Sequence, residues 1–154
     1  TFGSAGDVFP MLGLAVELRA RGHEVTLATN EHFAEVVTEA GVAFEPLGGA
    51  DAFHAAIRSP NLWHPQKAFR HVFEFLQPAL RDQYALHAEA AGAVGITNCF
   101  GFGALLAQEK LGIPVITLHL QPAVLWSRFA PPTVPGVFGP RWLKTWLYGV
   151  GERL

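Results

Sequence analysis

The chain has 154 residues, half of them hydrophobic and 16% charged, with a net charge of −2. That length and apolar content suit one globular domain with a real core and exclude a disordered or fibrous chain. The charge balance supplies no cation cluster for phosphate, which argues against nucleic acid as a partner, and the single cysteine, Cys99, cannot close an internal disulfide and points to a reducing, cytoplasmic setting.

The chain opens on TFGSAGDVFP, a glycine-rich turn with only Thr1 and Phe2 ahead of it. Turns of this kind join an apolar strand to a helix at the carboxyl edge of a parallel sheet, so a first strand is expected to lie largely outside the sequence. Pro10 is placed in the first turn of the following helix, where its missing N–H costs nothing. Met11, Leu14, Ala15 and Leu18 then recur at helical spacing until Gly22. HEVTLAT reads as a strand, Asn30 as the N-cap of EHFAEVVTEA, Gly41 as the stop of that helix, and VAFEPL as the next strand. Over residues 48–65 glycines and Pro60 suggest a loop with a short helix at 52–57.

A long helix is expected from Gln66, with Phe69, Val72, Phe73, Leu76, Leu80 and Tyr84 on one stripe and a kink at Pro78. AVGIT reads as a strand, GFGALLAQEKLG as a helix and PVITL as a strand. Residues 123–139 are expected to form a proline-rich loop containing Pro131, Pro132 and Pro135. Residues 140–154 are expected to form an amphipathic helix, with Trp142 and Trp146 on one side and Arg141, Lys144 and Arg153 available for burial or for a membrane surface. There is no apolar run long enough to span a membrane.

Alternating helices and strands with short connections define an α/β protein, a Rossmann-like parallel sheet with helices on both faces. The glycine loops are not those of a dinucleotide fold. After Gly3, Ala5 and Val8 stand where further glycines belong, and Thr29 and Asn30 stand where an acid would hold a ribose. Gly101 and Gly103 are followed by Leu106, and their spacing suits close packing of a helix on the sheet. What remains is Gly3-Ser4-Ala5-Gly6-Asp7-x-x-Pro10. Asp7 has two roles open to it, a carboxylate capping the helix start or one facing a ligand at the sheet edge. The histidines show no paired helical spacing of the kind that holds a metal.

The segment GSAGDVFPMLGLAVELRARGHEVTLATNEHFAEVVTEAGVAFEPLG, followed later by GFGALLAQEKLGIPVITLHLQP, resembles the N-terminal half of GT-B fold glycosyltransferases. The similar groups are sterol glucosyltransferases, antibiotic glycosyltransferases and rhamnosyltransferase-like enzymes related to UDP-glucuronosyltransferases. The resemblance covers roughly residues 1–122, and it is the order G-S-x-G-D-x-x-P, R-G-H-E-V-T, E-K-L-G-I-P that makes it specific. It implies that residues 1–154 are a fragment, the acceptor-binding N-terminal domain, with a core over 1–122. The C-terminal domain that binds the nucleotide-sugar would lie outside the sequence, and without it the fragment would be inactive.

The implied reaction is inverting transfer of a hexose from a donor such as a UDP- or dTDP-hexose to a hydroxyl of a lipid-like or small aglycone, without a metal. Many such enzymes carry a histidine base supported by an aspartate. At the matching positions this chain has Asp7, as base, and Asn98. Gly3, Ser4, Asn98 and His119 are the expected substrate-binding residues. Phe53, Trp63, Phe69 and Phe73 fall where an acceptor pocket is built, or pack the core. The alternative is a non-catalytic α/β module for a small molecule or nucleotide, in which Asp7 is only a cap.

Overall fold

The computed structural model describes residues 1–64, 66–90 and 92–121. The expected loop at 123–139 and helix at 140–154 lie outside the described residues. Thr1–Leu118 form one compact unit, and His119 begins a second, of which only residues 119–121 are described.

In chain order the first unit contains α1 (Ala5–Ala20), β1 (Thr26–Thr29), a 3-10 turn (Glu31–Phe33), α2 (Ala34–Glu39), β2 (Ala43–Pro46) and α3 (Ala50–Arg58). A second 3-10 turn (Pro60–Trp63) leads to α4 (Ala68–Glu89), β3 (Gly95–Asn98), α5 (Phe102–Leu111) and β4 (Val115–Leu118). β1 pairs in parallel with β2, Thr26 opposite Ala43, and β3 pairs in parallel with β4, Gly95 opposite Val115. Parallel neighbours need a crossover rather than a hairpin, and here α2 and α5 supply it. Thr1 and Phe2 lie between the two pairs. The Thr1 amino group donates to Ala28 O at 2.7 Å, and Asn98 Nδ2 donates to Phe2 O at 2.8 Å.

Side-chain alternation along a strand explains the layering. Leu27 joins Val8, Met11, Leu12 and Ala15 of α1 on one face, together with Phe33, Val37 and Phe53. Its neighbour Ala28 joins Phe2, Leu47 and the α4 residues Leu76 and Ala79 on the other. Helices on both faces of a parallel sheet are therefore present, as expected from the sequence.

Three local expectations change. α1 begins at Ala5 with Ser4 as N-cap, so Pro10 sits in its second turn and leaves Gly6 O without the usual helical donor; the Ser4–Asp7 capping interaction sets the start instead. On α4 the buried positions are Leu76, Ala79 and Gln83, whereas Phe73 is 52% exposed, because the core-facing row runs through 72, 76, 79, 83 and 86 and leaves 73 and 80 on the flank toward α5. α4 continues through Pro78 from Ala68 to Glu89. Gly103 is a contact between helices rather than between helix and sheet: a β-carbon there would run into Leu80 O of α4 and lie 2.6 Å from Gln83 Cβ and 2.8 Å from Tyr84 N.

Asn30 caps the 3-10 turn as expected, its side chain accepting from His32 N at 3.0 Å. The same buried amide donates to Gly48 O at 3.0 Å and Gly49 O at 3.1 Å, which ties the end of β1 to the start of α3.

Candidate functional site

The residues ahead of α1 are tied to the ends of β1 and β3, Thr1 N to Ala28 O and Phe2 O to Asn98 Nδ2, and Asp7 stands in the first turn of α1. Its Oδ2 accepts from Ser4 N at 2.9 Å and from Ser4 Oγ at 3.1 Å. A carboxylate in the first helical turn also sits well against the positive end of the helix dipole. Asp7 is only 6% exposed. Among the described residues its Oδ1 takes no hydrogen bond and neither oxygen takes part in an ion pair; the pairs present, Arg21–Glu17 and Arg70–Glu74, lie on the surface. Asp7 thus has one oxygen anchored and one without a protein partner.

Gly3 makes this arrangement possible. Its φ is +134°, and a β-carbon built on it would fall against the Asp7 carboxylate, 2.7 Å from Cγ and 2.9 Å from Cβ. Gly3→Ala is therefore expected to destabilise the domain by about 1–3 kcal/mol through backbone strain alone, and to displace Asp7 from Ser4 as well. Urea unfolding of the variant measures the first effect.

Asn98 is buried, 1% exposed, at the end of β3. Its Nδ2 donates to Phe2 O at 2.8 Å and its Oδ1 accepts from Phe100 N at 3.3 Å. Both bonds go to backbone and neither to Asp7, so Asn98 fastens the end of β3 to the residue that leads into the Gly3–Ser4 turn. Asn98→Ala is expected to cost about 1–3 kcal/mol, because it leaves the Phe2 carbonyl without its donor. The fall in unfolding midpoint checks this. Cys99 follows directly. Burial pushes its thiol pKa up, and the negative charge of Asp7 raises it further.

Of the other expected site residues, Ser4 is the N-cap whose two donors hold Asp7. His119 is exposed and is the first residue after β4. Of the four aromatic residues, the Phe69 side chain lies outside what the structure describes, and the other three are not gathered. Phe53 is in the core, Trp63 is 80% exposed, and Phe73 lines an apolar hollow of about 380 Å³ with Leu80, Phe102 and Leu105.

A different group forms instead. His32 stacks on Phe53 with centroids 4.8 Å apart, His54 Nε2 and His32 Nδ1 are 3.1 Å apart, and half-exposed Phe9 meets Phe33 edge-on at 6.1 Å. The pairing of His32 with His54 has no signal in the sequence, since 22 positions separate them and the partner arrives on another element. The Gly101–Gly103 turn is pinned by Gln83, whose Oε1 accepts from Gly103 N at 3.0 Å.

Residues 1–130 match the glycosyltransferase family 28 N-terminal domain. The chain is 31% identical over 145 residues to a sterol 3-beta-glucosyltransferase of Arabidopsis thaliana, covering 84% of this chain and 23% of the relative. It is 35% identical over 135 residues to glycosyltransferase GtfE of Amycolatopsis orientalis, covering 86% and 32%. Among solved structures, the glycotransferase of kitacinnamycin aligns with a TM-score of 0.62 at 26% identity, over 77% of this chain and 29% of that one. A glycosyltransferase of Streptomyces sp. SF2575, complexed with thymidine diphosphate, aligns with a TM-score of 0.57 at 25% identity, over 77% and 36%. The chain spans 23% and 32% of the length of the two curated relatives. The chain belongs to the glycosyltransferase family 28 N-terminal domain family and has the α/β fold of GT-B glycosyltransferases.

Proposed function

We propose that this chain is the acceptor-binding domain of a glycosyltransferase that moves a hexose from a nucleotide-sugar to a hydroxyl group, with inversion at the anomeric carbon and with Asp7 as general base. The observation that carries the reading is the asymmetry of the Asp7 carboxylate: Oδ2 is held by two Ser4 donors, and Oδ1 has no hydrogen-bond partner among the described residues. In this reading Oδ1 takes the proton of the acceptor hydroxyl as its oxygen attacks the anomeric carbon and the nucleotide diphosphate leaves. Ser4 and Gly3 fix the base, and Asn98 fixes the turn that carries them. His119 is assigned to acceptor contact.

The donor, a UDP- or dTDP-hexose, is assigned to a second domain beyond this chain, and no residue here is assigned to a metal. A lipid-like or small aglycone suits half-exposed Phe9 and the exposed His32 ring, which lie over the buried Phe33 and Phe53. A cytoplasmic setting follows from the lone cysteine; no helix among the described residues is long and apolar enough to cross a membrane.

The test is product stereochemistry. The full-length protein, given a nucleotide-hexose and a sterol or phenolic alcohol, is expected to yield a glycoside of inverted anomeric configuration by NMR. Retained configuration would overturn the single-base mechanism. A second reading is favoured by the same Ser4–Asp7 bonds: Asp7 serves only as a helix cap and the domain is a non-catalytic binding module.

A further inference from the structure

Two imidazoles meet on the surface assigned to the acceptor. His32 belongs to the 3-10 turn after β1 and His54 to α3, and His54 Nε2 lies 3.1 Å from His32 Nδ1. Asn30 ties their two elements together: its side chain accepts from His32 N at 3.0 Å and donates to Gly48 O and Gly49 O just ahead of α3. Backbone bonds thus bring the rings to one place.

His32 stacks on Phe53, with centroids 4.8 Å apart and planes 18° apart. Phe33 and His54 stand 4.8 and 4.9 Å from His32 but also 5.4 and 5.9 Å from Phe53, so both flank this stack and neither caps it. His32 is exposed, and its face turned away from Phe53 is open to another flat ring. The remaining nitrogens, His32 Nε2 and His54 Nδ1, take no hydrogen bond among the described residues. Of two facing neutral imidazoles one donates and one accepts, so in either tautomer one remaining nitrogen carries a hydrogen and the other is bare. Among the described residues no third His, Cys, Asp or Glu joins them to hold a metal, and neither ring is ion-paired.

We propose that His32 and His54 select the acceptor, a planar aromatic compound with two hydroxyls, one to receive the sugar and one to meet a free nitrogen of the pair while the ring stacks on His32. The inference rests on the assignment of this surface to the acceptor and not on the role of Asp7. A hydroxyl both donates and accepts, so it satisfies whichever nitrogen it meets, whereas a carboxylate or an ammonium group fits only one of the two tautomers. A saturated ring or an alkyl chain covers area but has no π-face to lay on the imidazole. Of lipid-like and small aglycones, this surface favours the small aromatic kind.

Binding to the full-length protein without donor tests the proposal, since it needs no turnover. Naphthalene-2,6-diol, 2-naphthol and decahydro-2-naphthol are titrated by calorimetry. Kd is expected to rise about three- to tenfold at each step along that series, first for the lost hydrogen bond and then for the lost stack. By NMR the two aromatic compounds are expected to move the His32 ring protons upfield, and the saturated one to leave them in place. His32→Leu is expected to erase the second step. The double variant His32→Phe with His54→Ala keeps a stacking ring without imidazole nitrogens, and is expected to erase the first step and keep the second.

Equal Kd values for the three compounds would overturn the proposal. So would failure of the diol to bind, or the same order of affinities in folded His32→Leu; if that variant does not fold, an unmoved His32 signal in the parent protein is decisive instead. The mechanism stands or falls separately. Retained product configuration would remove the single-base reading and leave this order of affinities untouched, whereas inverted transfer to aromatic and saturated alcohols alike, with equal KM, would overturn only the role given to the two histidines.

Discussion

Asp7→Asn in the full-length protein is expected to lower kcat by about 10²–10⁴-fold, the usual contribution of a positioned general base, while leaving the unfolding midpoint nearly unchanged. The substitution separates the two roles because asparagine keeps the acceptor oxygen. Its Oδ1 can still take the Ser4 N–H and hydroxyl donors, which now stand 2.9 and 3.1 Å from the carboxylate, so the cap persists. No ion-pair partner is orphaned by the loss of charge among the described residues. What disappears is a group able to hold the acceptor's proton. Asp7→Ala is the less informative change, since it also removes the cap and costs about 1 kcal/mol of stability. Turnover of the asparagine variant within about threefold of the parent, with the same midpoint, would leave Asp7 as a cap and nothing more.

How far the sequence foretold this architecture depended on the distance over which each signal acts. Elements specified by neighbours along the chain were legible. The alternation of α1, β1, α2 and β2 follows from apolar period and glycine stops, and the Asn30 cap is closed by an N–H only two residues on. α1 starts earlier than proline's preference for a first turn suggests, because the Ser4–Asp7 pair makes two bonds that fix the helix start. On α4 the sequence offered two apolar rows, and only the arrival of Phe2, Ala28 and Leu47 on one side decides that Leu76 and Ala79 are buried while Phe73 is not.

At the candidate site, Asp7, Ser4 and Gly3 were readable as one motif because they lie within five positions of one another. The partner of Asn98 was not, since Phe2 is 96 residues away. The aromatic and histidine cluster was equally hidden, its members being carried by the turn after β1 and by α3.

Gly103→Ala is expected to be the most damaging small substitution in the described core, lowering stability by about 3 kcal/mol or more. An alanine at an exposed position inside a helix normally stabilises it relative to glycine, so propensity alone predicts the opposite sign. Here the added carbon meets Leu80 O, lies 2.8 Å from Tyr84 N and 2.6 Å from Gln83 Cβ. Two of the three obstacles are backbone atoms of α4, which cannot rotate aside as the end of a side chain would. The helices must separate, and the separation lengthens the 3.0 Å bond from Gly103 N to Gln83 Oε1 and the 3.4 Å bond from Gln83 Nε2 to Phe100 O.

Since Phe100 also donates to Asn98, whose amide holds Phe2, the disturbance has a bonded route to the turn that carries Asp7. The variant should therefore show a lowered unfolding midpoint together with faster amide exchange at Phe100. Truncating Gln83 to Ala in the same background removes one obstacle and is expected to restore only part of the loss, because the backbone contacts remain. Full recovery in that double variant would mean that the side chain, and not the approach of the two helices, sets the limit.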